Sequence, residues 1–222
     1  MHTPDPSQIE LTPAAPDSLS ELTDLFVDLF TDREPLTRLI GLSRERMREL
    51  AAAKTGGAGG TSRLQAGWNW LARDRQANGR AVGFVVCDDP AVTPETLPQG
   101  LSAAEQATLE AVMAFLEEIR RPLAQQVRFE PGACLHIAAI GVAPGYEGQG
   151  LATRLLRAAL DSGKAHGFET AFAECTGPAS AACHARCGFT CLHTVNAAEV
   201  IREGRALFPG QDLAVQLMIR PL

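Results

Sequence analysis

Three glycines crowd one short stretch of the sequence, VAPGYEGQGLATRLL at residues 142–156. Gly145, Gly148 and Gly150 surround the acidic Glu147, and an amphipathic helical pattern follows at once. A glycine turn at the start of a helix aims several unpaired backbone N–H groups at one point, with the positive end of the helix dipole behind them. The group that suits such a point is a phosphate or a pyrophosphate.

Two common phosphate-binding loops do not fit these residues. Gly145 and Gly150 have the spacing of a P-loop, but Leu151 and Ala152 stand where that loop needs its Lys and its Ser or Thr. A dinucleotide fingerprint needs a glycine three residues after Gly150, and Thr153 is there instead. Taken alone, the glycines are also compatible with a turn that only connects a strand to a helix.

The stretch closely resembles the pyrophosphate-binding motif of the GNAT superfamily of acetyl-CoA-dependent N-acetyltransferases, and CHARCGF at residues 183–189 is similar to the second signature of that family. The resemblance implies acetyl-CoA as co-substrate, with the strand segment at Ile140, Gly141 and Val142 pairing with its pantetheine arm. Glu147 departs from the family pattern, which has Arg or Gln there; it fits a pyrophosphate site if its side chain points away. The resemblance places the pyrophosphate on the amides of Gly148, Gln149, Gly150, Leu151, Ala152 and Thr153.

Three further segments resemble one branch of the family, the insect-type arylalkylamine and dopamine N-acetyltransferases. They are DREPLTRLIGL at 32–42, AECTGPASAACHARCGF at 173–189 and ALFPGQDLAVQLMI at 206–219. This resemblance implies that Glu34 is the general base, and that the hydroxyls of Thr176 and Ser180 take part in proton handling beside the substrate. The acceptor implied is a primary amine of a small molecule.

Other residues offer rival or additional roles. His136 is a second candidate base, because an imidazole can take up a proton near neutral pH. His184 stands where many family members have a Tyr that protonates the departing thiolate, and an imidazolium could donate that proton. Glu174 could hold the substrate ammonium. Three of the candidates have a plain alternative: Glu34 as an acid in a first helical turn, His184 as a surface residue, and Glu174 as a strand-edge residue.

The expected reaction is direct attack of the free amine on the thioester within a ternary complex, with a backbone N–H near Val142 stabilising the oxyanion. This chemistry requires no metal. Cys183, His184, Cys187 and Cys191 suggest a zinc site, but no paired C-x-x-C knuckle is present. A non-catalytic acetyl-CoA-binding sensor, or an acetyltransferase for a peptide or protein amine, stays as an alternative function.

The elements that position these residues follow from periodicity and turn signals. Their order predicts a single α/β domain over 1–222, with a GNAT-like, mixed but mostly antiparallel sheet of about seven strands flanked by helices. A ligand is expected at the carboxyl ends of the strands. The predicted strands are 8–13, 64–70, 81–87, 133–142, 169–175, one from 189 and 212–219; the predicted helices are 17–30, two pieces within 33–54, one in a loop-plus-helix insertion at about 88–130, 148–165 and 178–187.

Local signals add detail to this outline. Ser18 and Glu21 predict a capping box, Ser43 a second helix cap, residues 55–60 a flexible loop, and Asn78-Gly79 a hairpin turn. The insertion is expected to form a wall of the amine pocket. Trp68, Trp70 and Phe172 would suit an aromatic acceptor, although aromatic residues at strand spacing are more often core.

Composition limits the class of protein. The net charge is −6 with a pI near 5.4, and no run of Lys and Arg forms a basic patch, so nucleic acid is not an expected partner. No signal sequence or membrane span is apparent, which predicts a cytoplasmic protein, monomeric or homodimeric. The six cysteines lie in apolar or Ala-rich runs, which predicts buried, reduced thiols.

Overall fold

A computed structural model describes residues 5–56, 67–93 and 100–222. The strands are β1 (Ile9–Pro13), β2 (Trp70–Asp74), β3 (Arg80–Asp88), β4 (Cys134–Val142), β5 (Thr170–Cys175), β6 (Thr190–Asn196), β7 (Ile201–Arg202), β8 (Arg205–Ala206) and β9 (Ala214–Pro221). The helices are α1 (Leu19–Phe30), α2 (Pro35–Ile40), α3 (Arg44–Gly56), α4 (Ala103–Arg120), α5 (Leu151–Ala165) and α6 (Pro178–Arg186). Short 3₁₀ turns span Pro6–Gln8, Pro16–Ser18, Arg75–Ala77, Arg121–Gln125 and Ala197–Glu199.

Seven strands form one sheet in the order β1-β2-β3-β4-β5-β9-β6, and β7 and β8 form a separate small hairpin. Within the large sheet β4 and β5 are parallel, and every other neighbouring pair is antiparallel. The parallel pair requires a crossover, which α5 provides. This architecture confirms the mixed, mostly antiparallel sheet predicted from the sequence.

Helices cover both faces of the sheet. The apolar stripe of α5 buries Leu155 and Leu156 against a cluster that includes Val85 and Leu135, as its amphipathic pattern predicts. On the opposite face, α1 packs on β2 and β3, and α4 packs Phe115 against a cluster that includes Phe172. The predicted insertion therefore contributes a helix to the core, not only a cover for the cleft.

The two parallel strands separate soon after they meet. Their pairing consists of Cys134 with Thr170, Leu135 with Ala171 and His136 with Phe172. Beyond His136, β4 stays paired with β3 as far as Val142 but has a bulge at Ala138, which has no counterpart in β3. A gap therefore opens between the carboxyl ends of β4 and β5, at the position where open sheets bind ligands.

One local prediction near the N-terminus, the capping box of Ser18 and Glu21, was wrong. Ser18 makes no capping hydrogen bond with its side chain. Glu21 reaches across to the sheet instead, where its carboxylate accepts from the backbone N–H of Ala81 at 2.8 Å and from Arg73 at 2.7 Å. A partner from another element thus replaces the local cap. The second predicted cap is confirmed, because Ser43 Oγ accepts from the N–H of Arg46 at 3.2 Å.

The first strand of the central hairpin lies later than predicted. β2 begins at Trp70, where the predicted strand ends. The sequence did not indicate this strand because Leu71 and Ala72 are both fully buried, so apolar and polar residues do not alternate along it. Residues 64–66, with most of the predicted loop at 55–60, lie outside the described residues. The Asn78-Gly79 turn is confirmed, with φ values of 55° and 73°. The β7–β8 hairpin was not predicted.

The cysteines are mostly placed as expected. Five are buried, but Cys191 is exposed and contacts Thr194, which corrects the prediction for that residue.

Within the described part of the chain, no helix combines the length and the apolar character that crossing a bilayer requires.

Candidate active site

The glycine turn lies at the wide end of the gap between β4 and β5. Gly148 and Gly150 have φ values of 76° and 75°, a region that glycine adopts without strain. Gly150 is the N-terminal cap of α5 and has no side chain to satisfy the first amides. The first intrahelical bond runs from Arg154 N to Gly150 O at 3.0 Å. The preceding N–H groups, on Leu151, Ala152 and Thr153, therefore have no acceptor within the helix.

The buried side chain of Tyr146 anchors the glycine turn to the sheet. Its hydroxyl donates to Asp74 Oδ2 at 2.7 Å, and its N–H donates to the carbonyl oxygen of Ala143 at 3.1 Å. On β4, a Cβ at Gly141 would lie 2.9 Å from a ring carbon of Phe84, so glycine is required for the close packing of this strand. The amides of the turn and the strand edge that leads to them thus form one rigid unit.

The side chain of Glu147 points to the connection between α1 and α2. Its Oε1 lies 2.6 Å from Nη2 of Arg33, and both side chains are about half exposed. The acidic residue that departs from the family pattern is therefore paired with a cation from a distant part of the chain.

Glu34, directly after Arg33, is the N-terminal cap of α2. Its extended backbone conformation suits a residue that precedes a proline, and Pro35 occupies the first helical position. Its carboxylate accepts from the N–H of Leu36 at 3.1 Å and of Thr37 at 2.6 Å. The hydroxyl of Thr176, which follows β5, donates to the same carboxylate at 2.5 Å. Two residues that the resemblance singles out are thus in direct contact.

The dipeptide Arg33-Glu34 therefore spans the mouth of the gap. Arg33 contacts the turn that follows β4, and Glu34 contacts the residue that follows β5. The carboxylate of Glu34 is thus held beside the end of β5, while the neighbouring Arg33 contacts the turn that carries the amides.

His136 lies deeper, at the last β4–β5 pair. Its Nδ1 is 3.0 Å from Asp88 Oδ1, and its Nε2 is 2.8 Å from Glu174 Oε2. Glu174 also forms an ion pair with Arg120 of α4. The imidazole stacks on Phe172 with ring centroids 4.6 Å apart. Both ring nitrogens and the Glu174 carboxylate are thus engaged within a buried ionic chain, Asp88–His136–Glu174–Arg120.

The charges in this chain reinforce one another. Burial opposes protonation of His136, but the negative charges of Glu174 and Asp88 outweigh burial and raise its pKa from 6.5 to about 9. For Glu174, burial favours the neutral carboxyl, but His136 and Arg120 outweigh burial and hold its pKa below its usual 4.5. At neutral pH His136 is therefore an imidazolium and Glu174 a carboxylate.

His184 is buried within α6, not on the surface. Its Nδ1 lies 2.9 Å from the backbone carbonyl oxygen of Ser180, and its ring packs edge-on against Phe189 at 5.0 Å. Burial lowers its pKa, only partly offset by the hydrogen bond to Ser180. This favours a neutral ring, contrary to the imidazolium expected from the sequence. Ser180 contacts His184 through its backbone carbonyl.

The structure separates some residues that the sequence analysis grouped. Trp68 packs edge-on against Phe168, and Trp70 donates to Ser162 of α5 at 3.1 Å, whereas Phe172 lies on the opposite face of the sheet. These aromatics do not form one pocket. Within 5–56, 67–93 and 100–222, no group of three His, Cys, Asp or Glu side chains is arranged to hold a metal ion. Cys183 and Cys187 contact Thr153 instead.

Three residues that contact the candidate site were not predicted from the sequence: Asp88, Arg120 and Arg33. Asp88 ends the apolar run of β3, and a charge in that position was a usable signal. Arg120 follows the apolar stripe of α4 directly, so only the docking of that helix shows where its side chain goes. For Arg33 the signal was indirect, because the acidic Glu147 in a phosphate-binding turn favours a basic side chain nearby.

Comparisons with known proteins agree with this geometry. The C-terminal condensation domain of Ebony, in complex with beta-alanyl-dopamine, superposes with a TM-score of 0.79 at 15% identity, covering 96% of this chain and 99% of that one. The Drosophila melanogaster polyamine N-acetyltransferase, which forms N-acetylagmatine, gives 0.72 at 20% identity, covering 96% and 100%. A mosquito arylalkylamine N-acetyltransferase-like protein gives 0.70 at 20% identity, covering 96% and 100%.

At these identities the likeness shows a shared fold, of the kind that the resemblance to insect enzymes predicted. Comparison of the sequence with curated proteins finds no match. The family match is more specific: residues 44–189, which include the glycine turn, α5 and the CHARCGF segment, fit the acetyltransferase (GNAT) family. The chain therefore belongs to the GNAT family of acetyltransferases.

Proposed function

We propose that the protein transfers an acetyl group from acetyl-CoA to a primary amine of a small molecule, by direct attack in a ternary complex. The observation that carries this proposal is the Arg33-Glu34 dipeptide at the mouth of the gap. Arg33 contacts the glycine turn that follows β4, and the carboxylate of Glu34 contacts Thr176 directly after β5. A donor along the strand and an acceptor beside Glu34 would meet there.

Acetyl-CoA suits the donor side of the gap. Beyond His136, β4 no longer pairs with β5, so the backbone groups of Ile140 and Val142 that point away from β3 are available to the amide groups of pantetheine. The amides from Gly148 to Thr153 would then hold the pyrophosphate, supported by the helix dipole of α5. Family membership supports this donor.

Glu34 suits the role of general base better than His136. Its carboxylate is held by two backbone N–H groups and by Thr176, which would keep it oriented towards the amine. His136 has both nitrogens engaged and a pKa of about 9, so at neutral pH it already carries the proton that a base would have to accept.

The proposed reaction has three steps. Glu34 removes a proton from the substrate ammonium, directly or through one water, and Thr176 helps to fix the carboxylate. The amine nitrogen then attacks the thioester carbon, and a backbone N–H near Val142 stabilises the oxyanion. The C–N bond forms, the C–S bond breaks, the attacking nitrogen releases its second proton to water, and coenzyme A leaves as a thiolate that water protonates. The carboxylate of Glu174 is paired with His136 and Arg120, so in this proposal it positions those two residues and does not bind the substrate ammonium.

The test is release of free thiol from acetyl-CoA by the purified protein in the presence of candidate amines. The solved neighbours motivate the choice of polyamines, agmatine and arylalkylamines, with amino acids, aminoglycosides and short peptides added. Thiol release that depends on one class of amine supports the proposal and identifies the acceptor. Tight binding of acetyl-CoA without turnover across the panel would favour the sensor alternative.

A further inference from the structure

The ion pair between Arg33 and Glu147 joins two loops that are 114 positions apart in the sequence. Arg33 precedes the proposed base, and Glu147 precedes the first amide of the proposed pyrophosphate site. We propose that Arg33 is itself a binding residue for the pyrophosphate of acetyl-CoA and that Glu147 positions it. This inference rests on the proposed function, because it assigns a further residue to the same donor site.

The electrostatics of the loop require a cation. A pyrophosphate beside Gly148 would lie close to the carboxylate of Glu147. The two negative groups repel each other, and a positive charge between them would offset that repulsion. The guanidinium of Arg33 touches the Glu147 carboxylate at 2.6 Å. It has five N–H donors in a planar fork, so one of them can hold Glu147 while others reach phosphate oxygens.

The nearest basic residue of α5 is turned elsewhere. The guanidinium of Arg154 donates to the backbone carbonyl oxygens of Pro6 at 3.3 Å and Ile9 at 2.9 Å. That arrangement anchors the start of β1 on α5 and directs the charge away from the turn. Arg33 thus places a guanidinium beside the glycine turn, whereas Arg154 of α5 points away from it.

The same contact would couple the two substrates. Arg33 and Glu34 are adjacent, and their backbone N–H groups both donate to the carbonyl oxygen of Phe30, at 3.3 Å and 3.0 Å. A pyrophosphate that holds Arg33 would therefore also hold the turn that carries the proposed base. Donor binding would then position the carboxylate before the amine reacts.

The experiment measures the Kd of coenzyme A by calorimetry for wild type, Arg33→Gln, Glu147→Gln and the double variant Arg33→Gln/Glu147→Gln. Arg75→Gln serves as a matched control, because Arg75 pairs with Glu10 at 3.0 Å on the surface with similar exposure. Exposed ion pairs contribute little to stability, so all variants are expected to fold. We expect Arg33→Gln to raise the Kd about tenfold, the size of one lost charge-assisted contact, and Arg75→Gln to leave it unchanged.

The double variant separates attraction from simple neutralisation. If Arg33 binds the pyrophosphate, the double variant still binds coenzyme A more weakly than wild type. If Arg33 only cancels the charge of Glu147, the double variant returns to the wild-type Kd, and the inference is overturned.

A second readout uses S-acetylpantetheine, a donor that has no pyrophosphate. The kcat/KM of Arg33→Gln with this donor should equal that of wild type, while kcat/KM with acetyl-CoA falls. An equal loss with both donors would mean that Arg33 acts only on the fold or on Glu34. If wild type does not bind coenzyme A, the proposed function fails as well; if wild type and Arg33→Gln bind it equally, this inference alone fails.

Discussion

The Nε2 atom of His136 lies 2.8 Å from a carboxylate oxygen of Glu174, where the paired section of β4 and β5 ends. Asp88 on β3 and Arg120 on α4 extend this contact, so the ionic chain contains one residue from each of four elements. It therefore fixes the position at which the gap opens. Removing one member of a buried charge network leaves its partner uncompensated, which is costly.

The first prediction concerns the dependence of stability on pH. The pKa of His136 is raised in the fold from 6.5 to about 9, so its stabilisation is fully present below pH 6.5 and is lost as the pH rises through about 9. The free energy of unfolding should fall by on the order of 3 kcal/mol over that interval. The pKa of Glu174 is lowered, so its contribution is present above pH 4.5 and is lost as the pH falls further.

Urea denaturation of wild type and His136→Gln between pH 4 and pH 9.5 measures this dependence. The difference between the two proteins isolates His136 from other groups, such as His184, whose lowered pKa acts in the opposite direction below pH 6.5. The difference should shrink from pH 6.5 to pH 9. A difference that stays constant over this interval would show that His136 does not titrate between the two carboxylates.

The second prediction concerns the anchor of α4. Arg120→Met should destabilise the protein by about 2–4 kcal/mol, because it removes one of the charges that compensate the buried carboxylate of Glu174. Arg121→Met is the matched control, since the neighbouring Arg121 is largely exposed and pairs with Glu118 of α4. Chemical denaturation gives both values. Equally small losses of stability in the two variants would mean that water, and not Arg120, compensates the negative charge of Glu174.

The third prediction concerns the proposed base. Glu34→Gln should lower kcat by roughly 100-fold or more, the usual contribution of general acid–base catalysis, and leave the Kd of acetyl-CoA unchanged. Thr176→Val should have a smaller effect of the same kind, because it removes one of the hydrogen bonds that orient the carboxylate. Glu45→Gln, at an exposed acid of α3, is the control. An unchanged kcat in Glu34→Gln would exclude Glu34 as the base.

The fourth prediction separates backbone strain from ligand binding in the glycine turn. Gly150 and Gly210 have φ values of 75° and 74°, and a Cβ at either would meet no atom within 4 Å. Gly150→Ala and Gly210→Ala should therefore both lose about 1–2 kcal/mol of stability. Only Gly150→Ala should weaken binding of acetyl-CoA, because its methyl group would lie beside the pyrophosphate. Equal binding by both variants would contradict the assigned site.

Those parts of the fold that depend on neighbouring residues could be predicted from the sequence. The glycine turn is an example: a positive φ and a strand that runs into a helix are local requirements, and Gly148 and Gly150 meet both. The family resemblance named Glu34 and Thr176 separately as site residues, but their contact appears only in the fold, since nothing local to either residue indicates the other.

Contacts that depend on tertiary packing were not predictable. His136 suited a base as an isolated imidazole, and its two carboxylate partners come from different strands. The register that places Asp88 opposite His136 depends on the bulge at Ala138, for which the sequence has no glycine or proline signal. Glu21 shows the same limit, because Ala81 in the sheet takes the place of the cap that the local pattern favoured.

The short pairing of β4 with β5 has a mechanical consequence. Strands β1 to β4 form one half-sheet, β5, β9 and β6 form another, and three residue pairs connect them. A donor lying along Ile140 to Val142 would contact β4 on its open side, beyond these three pairs. Because a ligand that binds only the folded state stabilises it by mass action, acetyl-CoA should raise the free energy of unfolding. The donor would then be a structural part of the sheet as well as a reactant.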